Sequence, residues 1–81
     1  MASTLSEFSL RVIGAIKAEL ARRNLSGADL IPVLEISRNA VYARLRGEKS
    51  FELEEVVKVA AFLGIPVETL VAAPVIAQVA A

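Results

Sequence analysis

Leu25-Ser-Gly-Ala-Asp-Leu-Ile-Pro-Val-Leu-Glu-Ile-Ser-Arg-Asn-Ala-Val-Tyr-Ala-Arg-Leu-Arg-Gly47 is the stretch whose reading decides the fold. Ser26 and Asp29 stand three apart as a capping box, and Leu30, Ile31 and Leu34 follow as the apolar face of a helix. Glu35-Ile36 is the turn, Ser37 is the cap of the next helix, and Gly47 is its stop. Two short helices joined this closely, the second basic and polar on its outside, are a way of presenting a helix to the DNA major groove.

The flanking segments complete an all-α domain. Thr4 and Glu7 form a candidate capping box, and Phe8, Val12, Ile13, Ile16 and Leu20 recur at helical spacing, predicting a first helix to about Arg23, with Asn24 ending it in the left-handed conformation. Pro32 falls about six residues inside the predicted second helix, where it removes a backbone donor and kinks or shortens the helix. Val41 and Leu45 are the expected buried pair of helix three. A fourth helix is predicted over 53–63, with Leu53, Val56, Val57, Ala60 and Leu63 facing the core and Gly64 as its stop. A short fifth covers about 67–72 behind Pro66, anchored by Leu70. The expectation is a compact bundle of about five short helices over residues 1–73, with the helix-turn-helix at about 26–46 and an apolar tail, 74–81, after Pro74. Its last residues, Val79-Ala80-Ala81, resemble the small apolar degradation tags read by bacterial proteases.

Composition narrows the chemistry. Eighty-one residues, 56% of them hydrophobic, suffice for one small core. With no cysteine there is neither disulfide nor thiolate metal site, and with no histidine the usual general base and commonest metal ligand are missing. The acids Glu52, Glu54 and Glu55 fall in the first turn of helix four, where the helix dipole favours them, and read as a solvated helix start rather than a catalytic carboxylate pair. These features argue against an enzyme, a cofactor or a small-molecule ligand. No run of about 18 apolar residues predicts a membrane span, and Met1-Ala-Ser-Thr-Leu-Ser-Glu-Phe8 lacks the pattern of a signal peptide, so a cytoplasmic protein is expected.

The net charge is zero, but it is unevenly placed. Residues 11–49 hold eight cations against four anions, and residues 50–81 hold one cation against four anions. A basic first half and an acidic second half let one face meet phosphates while the other avoids them.

At about 100° per residue, Val41 and Leu45 share one side of helix three, while Asn39, Ala43 and Arg46 lie roughly opposite, flanked by Arg38 and Tyr42. Arginine can grip guanine O6 and N7, and asparagine can do the same for adenine N6 and N7. Arg38, Asn39, Tyr42 and Ala43 are therefore the candidate base-reading residues. The candidate phosphate contacts are Arg22, Arg23, Ser26, Gly27, Ser37, Arg44, Arg46 and Lys49, with Ser26-Gly27 offering free backbone N–H groups at a helix start.

Together, Leu30, Ile36-Ser37-Arg38, Val41, Gly47, Ala60-Phe62-Leu63-Gly64-Ile65 and Val67-Glu68-Thr69-Leu70 resemble the lambda-repressor/Cro-type helix-turn-helix domain, the Xre family, over roughly residues 8–71. The resemblance implies a Cro-like regulator of transcription, inserting helix three of a DNA-bound homodimer into a double-stranded operator. It implies base reading by Arg38 and Asn39, a methyl contact from Ala43 and a phosphate or cap role for Ser37. The sequence departs from the family at four places. Gly27 stands where glutamine is usual, Glu35 replaces the turn glycine, and Pro32 is foreign to helix two. Arg44-Leu45 replaces an apolar-Glu pair, which would leave Arg44 free. A second reading is an antitoxin or adaptor domain that works mainly by binding protein, which the zero net charge and the apolar tail favour.

Overall fold

Ser6 caps the first helix, its Oγ accepting the Ser9 backbone N–H at 3.0 Å. The computed structural model of the protein describes residues 5–72. Its helices are α1 (Glu7–Arg22), α2 (Ile31–Leu34), α3 (Arg38–Leu45), α4 (Leu53–Leu63) and α5 (Glu68–Val71), with a 3₁₀ turn at Gly27–Leu30 feeding α2. The architecture is all-α, with no strand among the described residues. None of these helices is long and apolar enough to cross a membrane. Thr4 and the tail 74–81, including Val79-Ala80-Ala81, lie outside the described residues.

Glu7 is the first helical residue, so it is not the third-position partner of a Thr4 cap that the sequence suggested. Val12, Ile13, Ile16 and Leu20 form the buried stripe of α1, but Phe8 is 52% exposed, because it stands on the wall of a surface hollow beside Phe51, Leu53 and Val71. Asn24 takes a left-handed φ of 56°. The N–H of Leu25 then reaches the carbonyl of Leu20, and that of Asn24 the carbonyl of Ala21, satisfying two orphan acceptors. The same pair of bonds closes α3 at Gly47 and α4 at Gly64, both also left-handed.

The predicted second helix is in fact two pieces. The 3₁₀ turn absorbs Gly27–Leu30, and α2 starts afresh at Ile31. Pro32 is then the second residue of a helix, where its missing N–H has no intrahelical partner to lose. Glu35 ends α2 with φ 56° and ψ 40°, the left-handed geometry usually left to glycine.

Helix α4 begins and ends where predicted, but its buried face is rotated. Val56, Val59, Ala60 and Leu63 are buried, while Leu53 is 75% and Val57 44% exposed. Val59 lies at the centre of the stripe, and Leu53, the first residue of the helix, stands on the wall of a surface hollow at the edge of the core. Ile16, Leu30, Val41, Val59 and Leu70, one each from α1, the 3₁₀ turn, α3, α4 and α5, meet as the innermost side chains. Helix α1 packs on α3 and α5, and α4 covers α2 and α5.

Candidate nucleic-acid interface

Helix α3 is fixed from two sides. Ser37 caps it, accepting the Ala40 N–H on Oγ at 3.1 Å. Val41 is fully buried, whereas Leu45 is only half-buried, so the expected pair is anchored mainly by Val41. With Val41 held in the core, helical geometry turns Arg38, Asn39 and Arg46 outward, and all three are exposed. Tyr42 and Ala43 complete the stripe and are half-buried. Arg38 and Asn39 make no side-chain hydrogen bond or ion pair with any described residue, so their donors are free.

The position of Tyr42 is set by Gly27. A Cβ at residue 27 would lie 2.9 Å from the Tyr42 Cζ and 2.6 Å from the Leu45 Cδ1, closer than real side chains approach. Gly27 is thus buried under α3, and its missing side chain is the space that Tyr42 and Leu45 occupy. The N–H of Ser26 is taken by Asp29 Oδ2 at 2.8 Å. Of the two amides expected at Ser26-Gly27, that of Ser26 is thus taken by Asp29, and Gly27 itself is buried. What the structure places here is an open hollow of about 360 Å³, lined by Lys17, Ser26, Gly27, Tyr42 and Arg46 among others. Lys17 is absent from the sequence-based candidates. It lies on α1, far from the second and third helices in sequence, and only the packing brings it to them.

Arg44 is not free. It is buried, and its guanidinium bonds Glu55 twice, Nε to Oε1 at 2.9 Å and Nη2 to Oε2 at 3.2 Å, with Nη1 also donating to the Ala40 carbonyl at 3.0 Å. A phosphate contact from Arg44 is thereby corrected to a tie between α3 and α4. Glu55, expected on a solvated helix start, is buried, and its Oε1 also accepts the Glu52 N–H at 2.9 Å. Burial pushes the Glu55 carboxyl up, but the bonds from Arg44 and Glu52 and the charges of Arg44 and Lys49 outweigh it and hold it below its ordinary value. Sequence periodicity had no means of pairing residues eleven apart in separate helices.

The remaining cations differ in how committed they are. Arg22 and Arg23 both bind the carboxylate of Glu19, and Arg23 in particular draws its pKa down. Arg46 is paired with Glu48 at 2.7 Å, which lowers the carboxyl and raises the guanidinium, but both side chains are more than half exposed. Exposed pairs of this kind hold their partners weakly, so an incoming anion can displace the acid. Lys49 is exposed and makes no ion pair among the described residues. No group of three or more His, Cys, Asp or Glu among these residues could hold a metal ion.

No family model, no curated protein and no solved structure matches this chain.

Proposed function

We propose that this protein is a sequence-specific double-stranded DNA-binding regulator, a small Cro-like repressor of the helix-turn-helix type that acts in the cytoplasm of a bacterial or phage-infected cell. It is not an enzyme, and it needs no cofactor or small-molecule ligand. The observation that carries the reading is the outer stripe of α3. Arg38 and Asn39 project unpaired from the first turn of a helix whose opposite face is locked by Val41. That first turn is the part of a recognition helix that enters the major groove. Arg46, Lys49 and Lys17 flank the stripe and meet phosphates, while Tyr42 and Ala43 offer apolar contact to a thymine methyl. A module this small buries limited DNA surface, so two copies bind adjacent half-sites about one helical turn apart.

A second reading has its own support. Phe8, Leu10, Leu53, Val57 and Phe62 are large apolar side chains left exposed, as on a surface that binds protein. An antitoxin or adaptor domain would use them.

Selection from random duplexes separates the two readings. A regulator enriches a two-fold symmetric site, and its affinity falls with salt at a log–log slope near −0.9 per phosphate contacted. Failure to enrich any sequence, together with no duplex binding at low salt, would sink the DNA reading and favour the protein-binding one.

A further inference from the structure

The hollow between α1, the 3₁₀ turn and α3 has two kinds of lining. Leu20, Leu25 and Leu45 are its apolar part, with Leu20 buried and the other two half-buried. Lys17 of α1 and Arg46 at the end of α3 line it too, and both are exposed. Lys17 makes no ion pair among the described residues, and Arg46 is held by an exposed bond to Glu48. No described acid lines the hollow, so two positive charges face it without a fixed counter-charge inside. Tyr42 adds a ring that carries a hydroxyl. At about 360 Å³ the space falls in the range of small-molecule sites, about 300–1,000 Å³.

We propose that this hollow binds a free nucleoside monophosphate, with the phosphate between Lys17 and Arg46 and the sugar and base against the leucines and Tyr42. A phosphate monoester carries up to about two negative charges, which two cations match. The guanidinium grips its oxygens in pairs, and the ammonium adds a point charge. An inorganic anion would leave the apolar lining in water, and a neutral aromatic would leave both cations without a partner. One consequence rests on the DNA reading: duplex DNA brings the same sugar-phosphate chemistry to the same two cations, so a nucleotide in the hollow opposes duplex binding. The protein needs no such ligand to bind DNA.

Titration of the ¹⁵N-enriched full-length protein with adenosine monophosphate tests this. The amide signals of Gly27, Tyr42 and Leu45 are expected to shift saturably, while those of Leu53 and Phe62 on α4 stay in place. Adenosine and inorganic phosphate, at matched ionic strength, each bind at least about tenfold more weakly. Lys17→Met and Arg46→Met, both at exposed positions, each weaken the nucleotide about tenfold, the loss of one charge-assisted bond. Glu48→Gln, which frees Arg46, tightens it. Shifts that do not saturate, shifts spread over α4, adenosine or inorganic phosphate binding as tightly as the nucleotide, or unchanged binding in both methionine variants each overturn the proposal. On the selected duplex, the nucleotide displaces the unaltered protein, and a nucleotide that binds without displacing it overturns the shared use of the two cations. Absence of any duplex binding would sink the DNA reading and that consequence alone, because the titration decides the hollow without DNA.

Discussion

Arg44 of α3 and Glu55 of α4 form a two-bond fork inside the protein, with side chains only 7% and 12% exposed. The pair joins the helix that carries the outer stripe to the helix behind it. The Glu52 N–H closes on the same carboxylate, so the first turn of α4 is capped by the acid that holds α3. Replacing Arg44 by methionine keeps the volume and strands a buried carboxylate, which costs about 3–5 kcal/mol. Urea unfolding of Arg44→Met should show this loss, and the double variant Arg44→Met/Glu55→Leu should regain most of it. A single-variant loss under about 1 kcal/mol would mean that the pair is not a tie.

The pair also sets an acid limit. Glu55 has a folded-state pKa below its ordinary value of 4.5, so the unfolded chain takes up its proton first as pH falls. Its contribution is complete above about pH 4.5 and is lost as pH drops through the lowered folded value. Glu19, lowered by Arg23 and Arg22, acts in the same direction. Glu55→Gln is expected to be less stable at neutral pH and to show a shallower fall between about pH 5 and 3. Identical slopes in the two proteins would remove Glu55 as a source of acid sensitivity.

Gly27→Ala is expected to destabilise by about 1–3 kcal/mol, because the added methyl must displace the ring of Tyr42 as well as the end of Leu45. Leu45 can rotate away, but a ring seated on backbone has less freedom. Adding Tyr42→Ala should therefore make the Gly27→Ala cost smaller than it is alone. Strict additivity in the thermodynamic cycle would show that the ring does not rest on residue 27.

Glu35 and Asn24 both hold φ at 56° and differ in how well their side chains tolerate it. Asparagine enters the left-handed region readily and glutamate does not. Glu35→Gly should raise stability by about 0.5–1 kcal/mol, a few degrees in Tm for a domain of this size, whereas Asn24→Gly should change little. Equal effects at the two sites would argue against strain at Glu35.

On DNA, Arg38→Ala and Asn39→Ala should each lose about 1–3 kcal/mol on the selected site with little change on random duplex. Arg46→Ala should weaken both, and Arg44→Met should act on DNA only through stability. If the Arg38 variant loses selected and random DNA alike, Arg38 contacts phosphate rather than a base.

Most of the helix order is legible in the sequence because its signals are local. Ser37, Asn24, Gly47 and Gly64 each act within one turn of chain, and each ends or begins a helix as its chemistry predicts. The α1 stripe from Val12 to Leu20 is likewise a matter of period. Phe8, Leu53 and Val57 were misplaced because periodicity assigns a face along the whole helix, while burial depends on which neighbours extend that far. Pro32 read as an interruption because the sequence does not show that a 3₁₀ turn has already taken up the residues before it.

The sequence by itself determined an all-α chain, the boundaries of α1, α3, α4 and α5 to within a turn, and the outward stripe from Arg38 to Arg46, since capping, left-handed stops and the 3.6-residue period depend on neighbours along the chain. Only the tertiary structure decided which cations remain available. It buried Arg44 against Glu55, committed Arg22 and Arg23 to Glu19, laid Tyr42 over Gly27 and brought Lys17 beside Arg46. For Arg44, Tyr42 and Lys17 the deciding partner lies on another element, and only packing brings it near. Arg22 and Arg23 find Glu19 within one turn, but a charge pattern leaves open whether such residues pair with each other or meet solvent.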